Sequence, residues 1–541
     1  MRRQVLYTLA LAMVLPVLVA AQLRPGHFSL SKAFFDSTLS YFVDTTSYSG
    51  LAGNSILDIQ PGGDSLMFLG TSRGLTVSPD LGETYRSYIA SDVDLPRGGI
   101  SALLVADSLV ITAALVDTQT SVGWQKKGTG LSYSTDLGHT WVHKEQDVEA
   151  ENSDDYVNIS WGDSTIRQLA VTTAISNVTF HVAYSLGAIW TTSWAGGLRR
   201  YHIATGEWSV VPLPGDGDTT LACDDIPAGY EVNPLDPVDG GNHNHKGFSV
   251  IAYDSLVWVG TVAGINKGIV DSASGCISWT HYTSRWNGLS GNWVLALYRQ
   301  TAPGLDRIWA STHNAEDPLE QRGVSYTEDN GRTWKTTLLG ERVDNFASNG
   351  DTIYAAASSG LYKSIDGRNW ARFKSAVDAE SGEQVWAEDV YGVQYDQRNS
   401  MLWLATPDGL ARTSAKSGEE GIAWEIKRAF VSTQTAGEER FYAYPNPFYL
   451  AEHNVRDGAG HVRLQYHITE LETGVKGTVV IFDFALQKVR ELPARAHSIA
   501  GDYSQVWDGR NSSGFEVANG VYYCRLTIGA KDFWTKVIVI K

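Results

Sequence analysis

The sequence predicts an all-β chain, a seven-bladed β-propeller followed by a small Ig-like β-sandwich. Three observations carry that reading. The 541 residues include 53 Gly, 18 Trp and 25 Tyr but only 4 Met, a balance that suits short strands and tight turns over helical bundles. A β-rich run followed by a loop and a Gly-apolar pair recurs seven times. Residues 441–541 then alternate apolar and polar positions in short runs bounded by turn signals.

The first segment stands outside the fold. Arg2 and Arg3 precede the apolar run Leu9–Ala20, and the small Ala20 and Ala21 follow. That layout predicts a secretory signal peptide over residues 1–21. The alternative is an N-terminal anchor, for which the run is short. No later segment has 18 uninterrupted apolar residues, so the mature chain is expected without a transmembrane span. With 60 acidic against 43 basic residues, the net charge of −17 repels a phosphate backbone and argues against nucleic acid as a partner.

The seven repeats are anchored at Leu66, Leu109, Ile189, Val257, Ile308, Ile353 and Leu402. The shorter spacings suit a four-stranded blade. The two long ones mark insertions, Val142–Val182 and Pro212–Lys246. One propeller is expected over residues 28–432. Tyr41–Asn54 is similar to Tyr282–Asn292; it either completes the last sheet or caps the side.

Four stretches inside the repeats share a turn pattern of hydroxyl, Asp, Gly and aromatic. They are Ser78, Asp80, Gly82 and Tyr85; Ser134, Asp136, Gly138 and Trp141; Thr327, Asp329, Gly331 and Trp334; and Ser364, Asp366, Gly367 and Trp370. Hydroxyl and carboxylate bond the turn amides, Gly takes the left-handed conformation, and the aromatic packs between sheets. The pattern resembles the Asp-box, or bacterial neuraminidase repeat. That resemblance implies structural turns at the blade periphery and no catalytic role for these aspartates. Units three, four and seven keep only Trp208, Trp279 and Trp424. They are similar to the blades of two-component sensor propellers.

A polar linker, 433–440, leads to Tyr444-Pro445-Asn446-Pro447-Phe448, where two prolines force an extended start. Strands are expected at His461–Ile468, Gly477–Phe482, Gln505–Trp507, Gly520–Leu526 and Lys536–Lys541. With the Trp507-Asp508-Gly509-Arg510-Asn511 turn and Gly520-Val521-Tyr522-Tyr523, residues 441–541 resemble the C-terminal sorting domain of type IX secretion cargo. The variant is the one related to the Ig-like domain of flagellar hook-capping proteins. The resemblance implies the type IX machinery as a partner and a secreted or surface-attached product. Phe484-Ala485-Leu486 departs from it, standing where a Gly turn is usual.

Loops leading into the innermost strands and loops between second and third strands meet around one end of a propeller channel, the default ligand site. Candidates there are Trp124, Trp194, His243, His245, Asn292, His313, Asn314 and Trp386. Aromatics beside amides and carboxylates suit a sugar or a peptide. His243 and His245 would share one face of a strand as metal ligands, but no third ligand is identifiable, so neither metal nor cofactor is expected. Cys223 and Cys276 either pair between neighbouring sheets or stay free as buried thiols. Two functions remain: a binding propeller without catalysis for a glycan or protein ligand, or an Asp-box glycoside hydrolase acting on polysaccharide. Sialidase chemistry is disfavoured, because Arg73 and Arg86 lack the Arg-Ile-Pro context.

Overall fold

The computed structural model describes residues 51–88, 94–149, 155–175, 177–379, 382–416, 420–429 and 440–541. It also describes the backbone of short strands at Phe34–Asp36, Tyr41–Val43 and Ser47–Ser49. The expected signal peptide lies outside these residues, as does all of the expected linker except Arg440. Two compact units emerge, one built on Leu51–Ala429 and one C-terminal.

The first unit is a seven-bladed propeller. Seven antiparallel sheets follow one another, and in each of them four successive strands run in sequence order outward from the inner strand. The inner strands are Ile56–Gly62, Gly99–Ala106, His181–Ser185, Gly247–Tyr253, Trp293–Ala302, Val343–Asn349 and Gly392–Asp396. Each packs beside the next, and the seventh packs beside the first. Five of them carry a one-residue bulge at the same place near the leading end, at Leu57, Ser101, Phe248, Leu295 and Asp344. A bulge bends the strand and re-aims its side chain, here where all seven strands converge.

The repeated turns account for much of the packing between blades. In the first, the Ser78 hydroxyl donates to Asp80 Oδ1 at 3.0 Å and accepts the Gly82 N–H at 2.6 Å. Asp80 accepts the Thr84 N–H at 2.7 Å and the Thr84 hydroxyl at 2.6 Å. The turns at Asp136 and Asp329 repeat this set, and Asp366 uses Asn369 in place of Thr. These donors hold the carboxyls well below the usual range, Asp329 at about 2. The turn glycines have positive φ, and each lies against the second-strand aromatic of the preceding blade. Gly138 meets Phe68, Gly331 meets Trp258, Gly367 meets Trp309 and Gly82 meets Trp403. The last contact joins blade one to blade seven, so the closing seam uses the same packing as the others.

Ring closure needs no strand swapped between blades one and seven: all four strands of blade seven come from Gly392–Lys427. Asn54 clasps Ala429 instead, and its carbonyl accepts the Gly409 N–H at 2.8 Å. Arg412 of blade seven donates to the Leu81 carbonyl and pairs with Glu83 in the blade-one turn.

The two insertions meet. The hairpin Tyr156–Trp161 and Ser164–Leu169 comes from the first, and Glu231–Val232 from the second adds to it in parallel, Arg167 opposite Glu231. Trp161 and Ile166 pack with Trp190, Val257 and Trp279 of blades three and four. Thr220–Ala222 becomes a fifth, outer strand of blade four. Cys223 and Cys276 form a disulfide with Cα atoms 5.8 Å apart. It joins two segments of this one blade and not two neighbouring sheets.

The second unit is a two-sheet sandwich. Phe441–Tyr444, Val462–Ile468 and Gly501–Trp507 form one sheet. The other is centred on Lys476–Phe482, Gly520–Ile528 and Lys531–Ile540. Trp507 is fully buried between them, 5.5 Å from the Tyr522 ring, and its Nε1 donates to the Arg510 carbonyl. Asn446, between its prolines, bonds the Lys536 carbonyl and the Ile538 N–H of the last strand.

Candidate functional site

The leading ends of the inner strands and the loops between second and third strands build a site over blades three to seven. Its first half is an aromatic shelf. Phe180 precedes the inner strand of blade three and stacks on Phe248 of blade four, centroids 4.8 Å apart. Trp194, in the blade-three loop, meets Phe248 edge-on at 5.6 Å and Trp293 of blade five at 6.4 Å. Phe248 and Trp293 lie 5.3 Å apart. Trp194 keeps 37% of its surface exposed. The Trp293 Nε1 and the His313 Nε2, on residues paired across the strands, are buried without a partner among the described residues.

A polar chain flanks the shelf. The Lys246 ammonium stands 5.2 Å over the Trp194 ring, pairs with Asp236 and lies 3.0 Å from His243 Nδ1. His243 Nε2 lies 2.8 Å from Glu316 Oε1. The second insertion is thereby tied to the blade-five loop.

The other half is acidic. Arg342 Nη2 contacts Asp344 at 3.1 Å and Asp389 at 3.5 Å. Burial raises both carboxyls above the usual range, opposed by Arg342. Tyr391 beside them is raised first by burial and then by Asp389. His313, opposite Trp293, is lowered by burial and then by the charges of Arg322 and Arg342.

Not every expected residue joins this site. His243 and His245 lie on a single 3₁₀ turn and not on a strand, because Asp216 accepts both the His243 and the Asn244 N–H, at 2.9 and 2.7 Å. His245 is buried, its Nδ1 accepting the Asn233 N–H and its Nε2 against the Leu213 carbonyl. The two imidazoles therefore have separate surroundings. Among the described residues no group of three or more His, Cys, Asp or Glu could hold a metal ion. Asn292 faces inward, accepting the Ser284 N–H and bonding Glu320. Trp124 is 70% exposed near the tip of the long hairpin Leu109–Thr120 and Gly123–Ser134, without a ring contact to the shelf. Asn314 is exposed beside His313, and the Trp386 N–H donates to Asp408. Sequence reasoning missed Phe180, Phe248 and Lys246. Phe180 and Phe248 occupy matching places at the starts of neighbouring inner strands, a signal that the repeat spacing contained.

Residues 453–532 match the FlgD Ig-like domain family. The FlgD Ig-like domain thus supplies most of the C-terminal sandwich. No curated protein matches the sequence. Among solved structures, PorZ, a bacterial surface component of the type IX secretion system of Porphyromonas gingivalis, is 12% identical, with a TM-score of 0.32 over 90% of this chain and 75% of that one. The extracellular domain of the hybrid two-component system protein BT3049 of B. thetaiotaomicron is 12% identical, with a TM-score of 0.36 over 90% and 56%. An ancestral GH74 enzyme is 13% identical, with a TM-score of 0.42 over 72% and 53%. Among the described residues no helix is long and apolar enough to cross a membrane.

Proposed function

We propose that this chain is an exported binding propeller without catalysis, taking an extracellular glycan or protein ligand at the channel mouth. Residues 441–541 would deliver it as type IX secretion cargo to the medium or the outer surface. The observation that carries the binding role is the shelf of Trp194, Phe248 and Trp293 beside Lys246. Exposed aromatic faces next to fixed polar groups stack on sugar rings or apolar side chains while the polar groups set orientation. Export is supported by the apolar run within residues 1–21 and by the FlgD Ig-like domain.

A second reading rests on Asp344 and Asp389. Sharing one guanidinium nitrogen holds them near the separation of about 5–10 Å used by glycosidase carboxylate pairs, and burial raises both. Arg342 occupies both carboxylates, which favours binding over hydrolysis. The test is a glycan array together with a panel of polysaccharides, using the mature protein. Binding without turnover supports the first reading. Release of reducing sugar that disappears in Asp344→Asn and Asp389→Asn establishes the second.

A further inference from the structure

Blade two is built longer than its neighbours. Its second strand, Leu109–Thr120, and its third, Gly123–Ser134, each have 12 residues. The second strands of blades one and three, Leu66–Thr71 and Ala188–Ser193, have 6. The turn between the long strands is nevertheless the one used elsewhere in the ring. The Thr71 hydroxyl donates to the Gly74 carbonyl at 2.8 Å, and Thr261 with Gly264 and Thr406 with Gly409 repeat the bond at 3.1 and 2.7 Å. In blade two Thr120 donates to the Gly123 carbonyl at 2.8 Å. The position that matches Thr71 is Ala114, because Thr71 pairs with Ile56 and Ala114 with Ile100, each beside the inner-strand bulge. Thr120 lies six residues beyond Ala114. The blade's own turn is therefore carried outward, by about 20 Å at the rise of an extended strand.

A lone two-stranded ribbon is marginal in water, but this one is clamped at its base. The Gly128 N–H donates to the Ala174 carbonyl at 2.9 Å, and Lys127 bridges to Ile175 of the first insertion. The Thr129 hydroxyl donates to the Arg97 carbonyl at 2.7 Å.

The tip differs in chemistry from the body that carries it. The whole chain has a net charge of −17, whereas residues 118–127 contain two lysines and no carboxylate. Val122, in the turn itself, is 78% exposed, and Trp124 beside it is 70% exposed. Lys126 and Lys127 come next, both exposed. Lys126 meets Asp117 across the ribbon at 2.7 Å, with both side chains more than half in water. A pair so exposed holds its partners weakly. The order from the apex is thus aliphatic, aromatic, then cationic, with the lysines roughly 7–10 Å behind Trp124.

We propose that this ribbon docks the protein on a bilayer surface bearing anionic headgroups. Val122 and Trp124 enter the headgroup layer, and Lys126 and Lys127 meet the phosphates. Trp partitions to that depth, and Lys is drawn to anionic lipid. The order along the ribbon fits a lipid surface better than a soluble polyanion, which would leave Val122 and Trp124 in water. The length of the ribbon serves the electrostatics. The acidic body repels an anionic surface, but that repulsion is screened over about 8 Å at physiological salt, less than half the projection. The contact needs no ligand at the channel mouth, so it stands or falls independently of the proposed function.

The experiment is flotation of the mature protein with vesicles of phosphatidylcholine, alone or mixed equally with phosphatidylglycerol, at physiological ionic strength. Binding to the mixed vesicles is expected, and weaker binding to phosphatidylcholine alone. Trp124→Ala should lower the partition coefficient roughly tenfold. Lys127→Gln should lower it roughly fivefold, on the mixed vesicles only. Phe484→Ala, which removes an exposed ring from the C-terminal sandwich, should leave it unchanged. An environment-sensitive dye on Val122→Cys reads what covers the tip. Cys524 is buried and Cys223 is bonded to Cys276, so the label is selective. A blue shift with mixed vesicles and none with dextran sulfate supports the proposal. An equal shift with dextran sulfate, equal binding to the two vesicle types, unchanged partition in either tip variant, an equal loss in Phe484→Ala, or no flotation overturns it.

Discussion

The side chain of Asn54 closes the propeller on the backbone of Ala429. Its Nδ2 donates to the Ala429 carbonyl at 3.1 Å and its Oδ1 accepts the Ala429 N–H at 2.6 Å, across 375 positions of chain. Both residues are buried, Asn54 at 3% and Ala429 at 1% exposure, so water cannot replace either bond.

Asn54→Ala leaves a buried N–H and a buried C=O unpaired. The expected loss is roughly 2–4 kcal/mol of unfolding free energy, read by urea denaturation. A loss within about 0.5 kcal/mol, the range of ordinary surface substitutions, would show that the clasp does not hold the ring.

Two glycines separate space from backbone strain. Gly82 has φ +89°, and a Cβ there would stand 2.8 Å from the Trp403 ring. Gly187 has φ +74° with nothing within 4 Å. Gly187→Ala should cost about 1–2 kcal/mol for the left-handed conformation alone. Gly82→Ala should cost roughly 1–3 kcal/mol more, because the blade seam must open. Equal urea midpoints for the two variants would remove Trp403 from the seam.

Asp58, on the inner strand of blade one, carries a pH signature. Burial pushes its carboxyl up to about 7, against hydrogen bonds from the Ile59 N–H and the Gln60 side chain. The folded state then holds a proton that the unfolded chain releases near 3.8. The stabilising contribution is full below that value and is lost as pH rises toward about 7. Asp58→Asn keeps the accepting oxygen and should remove this slope, leaving the variant relatively more stable at pH 8. Parallel stability profiles for wild type and variant between pH 4 and pH 8 would contradict it.

Arg199 anchors the first insertion. Its side chain is 7% exposed and pairs with Asp147 and with Glu149, the latter at 2.6 Å, while Nη2 donates to Thr172 at 2.9 Å. Arg199→Ala strands two carboxylates and should cost roughly 3–5 kcal/mol. Limited proteolysis should then cut within residues 142–182 before the blades; unchanged protection there would show that other contacts hold the insertion.

What could be read from the sequence was local or periodic. Asp80, Gly82 and Thr84 meet within a few residues, so their spacing already encodes a turn. The aromatics of the second strands repeat with the blades, and seven repeats imply seven sheets. What escaped was long-range pairing. Nothing near Asn54 names Ala429, and nothing near Arg167 announces Glu231 as its neighbour in a parallel pair. The strand expected through His243 and His245 failed for the same reason, since the Asp216 that curls this segment lies 27 positions away from His243. At the channel mouth, single tryptophans were visible, but the shelf exists only once Phe180 and Phe248 from adjacent inner strands stack.

The central claim is that the shelf binds a ligand and performs no chemistry on it. One measurement tests it most directly: wild type and Trp194→Ala, side by side, on a glycan array and in a reducing-sugar assay over polysaccharides. Trp194 is 37% exposed but packs on Phe248 and Trp293, so its loss should cost roughly 1–3 kcal/mol, and a far-UV spectrum matching wild type identifies the folded control. The account predicts binding by wild type, at least tenfold weaker binding by Trp194→Ala, and no reducing sugar from either. Reducing sugar released by wild type, or equal binding by the two proteins, would contradict it.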